Sequence, residues 1–305
     1  MTRKINPGGP SRLYSSWLKG NLVIGGGDVG PGNEYFVSKS GNARNDGLSW
    51  ERSKLLIQDG LDLCVGTGET VYVGPGAYTE SLATPASATA SAITLWGMGD
   101  SHRGQGAAVT SAAADEDALN VLCNNFTVRN MRLNGNTTSA ALRLDSITGS
   151  AIHAITVDHC HFNGGLYGVE CYGGSSFVTI KDSLFRFILE AGGIAIGCSD
   201  ASATQPNVWE IENNIFWANA NHISFTGADG PFNATIRYNV LHAAYFDDVV
   251  ANKIHMGNGG GYNAVYANFC GGTFSHAGGY QEGGTGDNWY GNYSAAGIDS
   301  VTLPV

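Results

Sequence analysis

"FTVRNMRLNG" (residues 126–135) and "ITVDHCHFNG" (residues 155–164) share one phrase: an apolar residue, Thr, Val, then a second apolar residue five positions after that Val. The phrase recurs as "VTIKDSLF" around Ile180, "WEIENNIF" around Ile211, "ATIRYNVL" around Ile236, "NAVYANFC" around Val265 and "DNWYGNYS" around Trp289. From Val128 to Trp289 is 161 residues over six intervals, or about 27 per repeat. A period of this length marks a solenoid or other repeat array.

The unit can be read from its interior. Two residues before each anchor lies another mostly apolar residue, Phe126, Ile155, Val178, Trp209 and then Ala234, which is strand alternation with one face buried. Five residues after the anchors lie Leu133, Phe162, Phe185, Phe216, Leu241 and Cys270. An odd spacing would put these on the opposite face of a straight strand, so the chain bends between them. Three after the later anchors stand Asn214, Asn239, Asn268 and Asn292. Asn tolerates left-handed backbone, which a corner requires, and stacked asparagines can hydrogen-bond along a ladder.

A second strand lies between the phrases: "ALRL" around Leu142, "GVEC" around Val169, "GIAI" around Ile194, "HISF" around Ile223 and "KIHM" around Ile254. Several strands per repeat with no helix between them predict an all-β chain. The architecture is a right-handed parallel β-helix with coils of about 27 residues. Stacking then predicts two outward rows in register. The anchors are followed by Arg129, Asp158, Lys181, Glu212 and Arg237, and preceded by Thr127, Thr156, Thr179, Glu210 and Thr235. The first row reads as alternating charges that hold register.

Composition agrees. Glycine numbers 44 and charged residues are 14%, which suits many tight turns between short strands. A net charge of -10 disfavours nucleic acid as a partner and suits a self-repelling surface. No apolar run approaches the roughly 20 residues of a membrane span, and the first 20 residues have no secretory pattern. The six cysteines are scattered and read as free buried thiols of a protein made in a reducing cytoplasm.

The domain organisation predicted is an extended N-terminal docking arm (1–33), a strand-loop-helix cap (34–70), the β-helix (71–295) and a C-terminal tail (296–305). The arm carries Leu13, Tyr14, Trp17, Leu18, Leu22 and Val23 between Gly/Pro-rich ends, more apolar surface than a free tail exposes. In the cap, "YFVS" reads as a strand, and Ile57, Leu61 and Val65 share a helical face that Gly60 weakens. Such a helix would cover the open end of the solenoid.

"SGNARNDGLSW", a short helix and "GETVYVGPGAYTE" resemble the start of right-handed β-helix proteins of the pectin-lyase-like superfamily. The opening "SRLYSSWLKGNLVI" resembles arms on bacteriophage virion proteins of the head-decoration and tail types. These resemblances imply a virion structural protein, a capsid decoration protein anchored by its arm to capsid or tail proteins. It would be a homotrimer, made in the host cytoplasm and facing bacterial surface polysaccharide. The alternative they imply is a tailspike-like depolymerase or lyase, or a glycan-binding tail protein.

Pectate lyases of that superfamily use clustered acids for calcium with a basic residue as base, and polygalacturonases use aspartates with a Gly-His-Gly segment; neither pattern is intact here. The residues available for a glycosidase-type site are Glu170, Asp247, Asp248 and His255, with Arg143 beside Glu170 as a register pair. "DHCH" would place His159 and His161 on one strand face, and Glu282 with Asp287 could meet a calcium ion. Neither set is complete, so no metal and no cofactor is expected. The glycine-rich "GNGGGYN" and "GGYQEGGTGDN" read as wide turns.

Overall fold

The computed structural model describes residues 32–86, 90–145, 151–198, 206–225, 230–242, 254–257, 260–271, 280–281, 286–294 and 297–299. Docking-arm residues Leu13, Tyr14, Trp17, Leu18, Leu22 and Val23 lie outside them.

Each complete coil contributes one strand to each of three sheets that are parallel along the stack. The first sheet has ten strands, from Glu34–Val37 through Thr127–Arg129, Ile152–Asp158 and Ser175–Lys181 to Asn288–Tyr290. The second runs from Gly76–Thr79 through Arg132–Asn134, His161–Asn163 and Leu184–Arg186 to Asn292–Ser294 and the antiparallel Gly297–Asp299. The third holds eight strands, among them Ala140–Asp145, Tyr167–Tyr172, Ile194–Cys198 and Ile254–His255. The chain is all-β, a right-handed parallel β-helix.

The anchors form one interior column. Val71, Leu95, Val128, Val157, Ile180, Ile211, Ile236 and Val265 are successive register partners with no solvent exposure. Five residues on, the second sheet aligns Leu133, Phe162, Phe185, Phe216, Leu241 and Cys270. Phe162, Phe185 and Phe216 stack ring on ring at 4.6 and 4.9 Å. Each buried aromatic removes 150–250 Å² from water, so this column is a principal source of stability.

The corner between the two sheets differs from the sequence reading by one position. The left-handed residue is the second after the anchor, not the third: Asn130, His159, Asp182, Asn213, Tyr238 and Ala267 all have φ between 51° and 57°. The third position points inward, where Asn214, Asn239, Asn268 and Asn292 form the ladder. A second left-handed position recurs three residues before the anchors, at Asn125, Ala154, Phe177, Val208, Asn233 and Tyr262.

In the third sheet the column is Leu142, Val169, Ile196, Ile223 and Ile254, so the register partner on the middle coil is Ile196 rather than Ile194. The outward row consequently runs Arg143, Glu170, Gly197, Ser224 and His255.

At the N-terminal end, Glu34–Val37 is already a rung of the first sheet. Helix α1 is short, Ile57–Asp62, and the Glu80 carboxylate accepts from the backbone N–H of Ile57 (3.1 Å) and Gln58 (3.0 Å). Ile57 and Leu61 are buried, but Val65 lies past the helix and is 71% exposed, so it is not part of the apolar face. Gly60 has a packing reason: a Cβ there would meet Val37 Cγ2 at 2.8 Å and Val71 Cγ1 at 3.0 Å. All six cysteines are buried and none is in a disulfide. Cys171 and Cys198 are neighbours on adjacent coils, one repeat apart, which scattered spacing conceals.

Candidate functional site

The third sheet presents the predicted acidic residues. Arg143 and Glu170 face outward as register partners, and the guanidinium is the hub of the group. Its Nη1 lies 3.4 Å from Asp117 Oδ2, its Nε 3.8 Å from Glu170 Oε2, and its Cζ 3.6 Å from the centre of the Tyr172 ring. Asp117 Oδ1 also accepts from the Ala140 N–H at 2.8 Å. Both carboxylates are largely buried, with side-chain exposures of 13% and 9%. Arg143 thus ties Asp117 and Glu170 into one ion-paired group that spans three coils.

His255 shares the outward row with Glu170 but stands three coils away, beyond Gly197 and Ser224. At about 4.8 Å per coil that is roughly 14 Å along the axis, longer than either glycosidase carboxyl separation. Burial holds the imidazole below its ordinary proton affinity, and Nδ1 has no hydrogen-bond partner. Asp247 and Asp248 lie outside the described residues.

At the corner between the first and second sheets, Asp158, His159 and Asp182 bring three potential ligand atoms within 4.8 Å of one another. Asp158 Oδ1 is 2.5 Å from His159 Nδ1, and its Oδ2 is 3.2 Å from Arg129 Nε. Arg129 and Lys181 are the register partners of Asp158 on either side, and both cations oppose a metal there. The charged row aligns in register, and two of its neighbouring pairs bridge, Arg129 with Asp158 and Arg237 with Glu212 at 2.7 Å, with Arg237 also bridging Glu210 at 2.6 Å.

His159 and His161 do not share a face, because the corner intervenes. His159 is half exposed at the turn, while His161 is wholly buried on the second sheet with Nδ1 3.4 Å from the Ser101 carbonyl oxygen. Asp287 belongs to a second ladder, in which its Oδ1 accepts from Asn263 N–H (3.0 Å) and Nδ2 (2.9 Å). Glu282 lies outside the described residues.

A third group, absent from the sequence reading, lies on the outer face of the second sheet. Arg132 and His161 are register partners, and Arg186 aligns with Asn163 on the next coil. A cleft of about 410 Å³ opens beside Arg132 and Asn134, walled by Gly104, Gln105 and Gly106. The signal that finds these residues is the repeat itself, since positions four and six after an anchor share this face.

No protein-family model and no curated protein matches the chain. Solved structures do. A GH136 lacto-N-biosidase from Eubacterium ramulus superposes with TM-score 0.65 at 13% identity, over 86% of this chain and 56% of that one. The chain therefore spans little more than half the length of that protein. The pectate lyase Pel9A gives 0.63 at 14% identity, over 90% and 78%. PfbA, a surface adhesin of Streptococcus pneumoniae, gives 0.52 at 14% identity, over 78% and 66%. The fold is the pectin-lyase-like right-handed parallel β-helix, and at these identities the likeness concerns the fold.

Proposed function

We propose that this chain is a non-hydrolytic glycan-binding β-helix, serving as a structural protein on the surface of a phage particle. The observation that carries the non-hydrolytic part is the Arg143 clamp, which engages both Asp117 and Glu170 as ion-pair partners across neighbouring coils. Affinity for glycan is supported by the fold's company, which includes a lacto-N-biosidase, a pectate lyase and a surface adhesin. It is supported too by aromatic side chains on the second sheet. Trp217 stacks on His242 at 4.7 Å and remains 40% exposed, with Phe269 and Tyr293 on the coils beyond. Pyranose rings present apolar C–H faces that pack on such rings.

The virion placement rests on the arm: Leu13, Tyr14, Trp17, Leu18, Leu22 and Val23 would dock on capsid or tail proteins, with copies joined as a homotrimer. Host surface polysaccharide passed over immobilised protein should be retained with no new reducing ends. Retention without cleavage supports the reading. Release of oligosaccharides that is lost on Glu170→Gln would replace it with a depolymerase. Particles purified from lysates should carry the chain, and its absence from them would remove the virion placement.

A further inference from the structure

Five described arginines pair with carboxylates: Arg52, Arg103, Arg129, Arg143 and Arg237. Arg44, Arg132 and Arg186 do not, and of these Arg44 is exposed while the Arg132 and Arg186 guanidiniums are half-buried in a chain of net charge -10. The hydrogen bond Arg132 makes runs from Nε to Asn134 Oδ1 at 3.0 Å, which leaves both terminal nitrogens unpartnered. Arg186 makes none, and its Nε is buried without an acceptor. Its guanidinium sits over the Phe187 ring at 5.4 Å.

The two cations also disfavour one another. Burial lowers the Arg132 proton affinity, and the charge of Arg186 lowers it further. His161, the coil partner of Arg132, is held neutral by its burial and by both arginines. With Nδ1–H donating to the Ser101 carbonyl, its Nε2 is a buried lone pair with no partner. A half-buried pair of like charges with unfilled donors is costly unless an anion joins it.

We propose that this face of the second sheet, between Arg132 and Arg186, is an oxyanion-binding site. It takes a carboxylate, sulfate or phosphate group. Asn134 and Arg186 stand two coils apart in one row, about 10 Å, and Arg132 neighbours Asn134 on the same strand. Two extended guanidiniums close that span on a single anion through charge-assisted hydrogen bonds. His161 is a positioning residue, whose neutrality keeps a third positive charge out of the group. The inference stands apart from the glycan reading, because a small ion tests it.

Calorimetric titration with inorganic phosphate, sodium sulfate and glucuronate, at ionic strength held constant with chloride, tests the site. The wild-type chain should bind at least one of them. Arg132→Gln and Arg186→Gln should each weaken binding about tenfold or more, and the double variant should abolish it. Arg186→Lys should retain part of the affinity, and Arg52→Gln should retain all of it. Far-UV circular dichroism of each variant confirms folding. Tightest binding of glucuronate assigns the anion to a sugar acid, and tightest binding of phosphate or sulfate to the tetrahedral ion. Failure of the wild type to bind any of the three at 100-fold excess over protein, or undiminished binding by the folded double variant, overturns the proposal.

Discussion

The side-chain oxygen of Asn268 accepts two hydrogen bonds from Asn239 on the preceding coil, one from the backbone N–H at 3.1 Å and one from Nδ2 at 3.0 Å. Asn239 Nδ2 also donates to the Ile211 carbonyl at 2.9 Å, while its own oxygen serves Asn214 in the same way. Each rung therefore satisfies the corner of the rung before it. Asn239→Ala should strand the buried donors of Asn214 and the Ile211 carbonyl, and cost about 2–4 kcal/mol in urea unfolding. Asn239→Ser should cost less. Ser183 fills the same column and already accepts from Cys160 N–H at 3.0 Å while donating to the Lys181 carbonyl at 2.7 Å. Equal losses for Ala and Ser would show that the ladder is not what holds the corner.

The left-handed positions store strain that sequence can relieve. Val208 has φ 52° on a β-branched residue, and its side chain is 36% exposed. A branched Cβ is among the worst occupants of that region, and Asn among the best non-glycine ones. Val208→Asn should raise stability by about 0.5–1 kcal/mol, seen as a higher unfolding midpoint at unchanged denaturant slope. Asn233 occupies the equivalent place on the next coil with φ 54°, so the substitution copies a solution already present. A lower midpoint would mean that the Val208 side chain contributes packing that outweighs its backbone.

The Arg143 group separates charge clamp from catalyst. Removing the cation leaves two largely buried carboxylates without their shared counter-ion, so Arg143→Gln should cost about 2–3 kcal/mol. Glu170→Gln removes one charge and leaves Arg143 its Asp117 partner, and should cost under about 1 kcal/mol. The double variant should fall short of the sum of the two losses, since they share one interaction. Strict additivity in a double-mutant cycle would show that Arg143 and Glu170 do not interact.

The inward columns were legible because burial tolerates only apolar side chains, and stacking repeats them at one period. Val128, Val157 and Ile180 announce themselves for that reason. Where two apolar residues lie two apart, as Ile194 and Ile196 do, the pattern alone leaves register open, and the neighbouring coils choose Ile196. The corner asparagines carried two competing signals, left-handed tolerance and ladder bonding. Only the geometry separates them, giving the first to Asn213 and the second to Asn214. The grouping of Arg132, His161 and Arg186 was missed although Arg132 and His161 share the fourth position after the anchor and Arg186 holds the sixth on the same face. Their meeting depends on side chains crossing coils, which spacing does not encode.

Acid should expose His161. Burial, then Arg186 and Arg132, lower its proton affinity from the ordinary 6.5 to about 4. Between those values the unfolded chain binds a proton that the folded chain refuses, so stability rises with pH across the window and is lost as pH falls through it. His255, lowered by burial, acts in the same direction. The contribution of His161 is at most about 3 kcal/mol between pH 7 and pH 4. Carboxylate titration also weakens the fold in acid, so the comparison with a variant decides the matter. His161→Asn should flatten the stability slope between pH 6.5 and 4 relative to wild type. Arg186→Gln should shift the same step to higher pH by removing a repelling charge. Urea unfolding at half-unit intervals reads both effects, and parallel curves for wild type and His161→Asn would mean that His161 takes up its proton as readily in the folded chain as in the unfolded one.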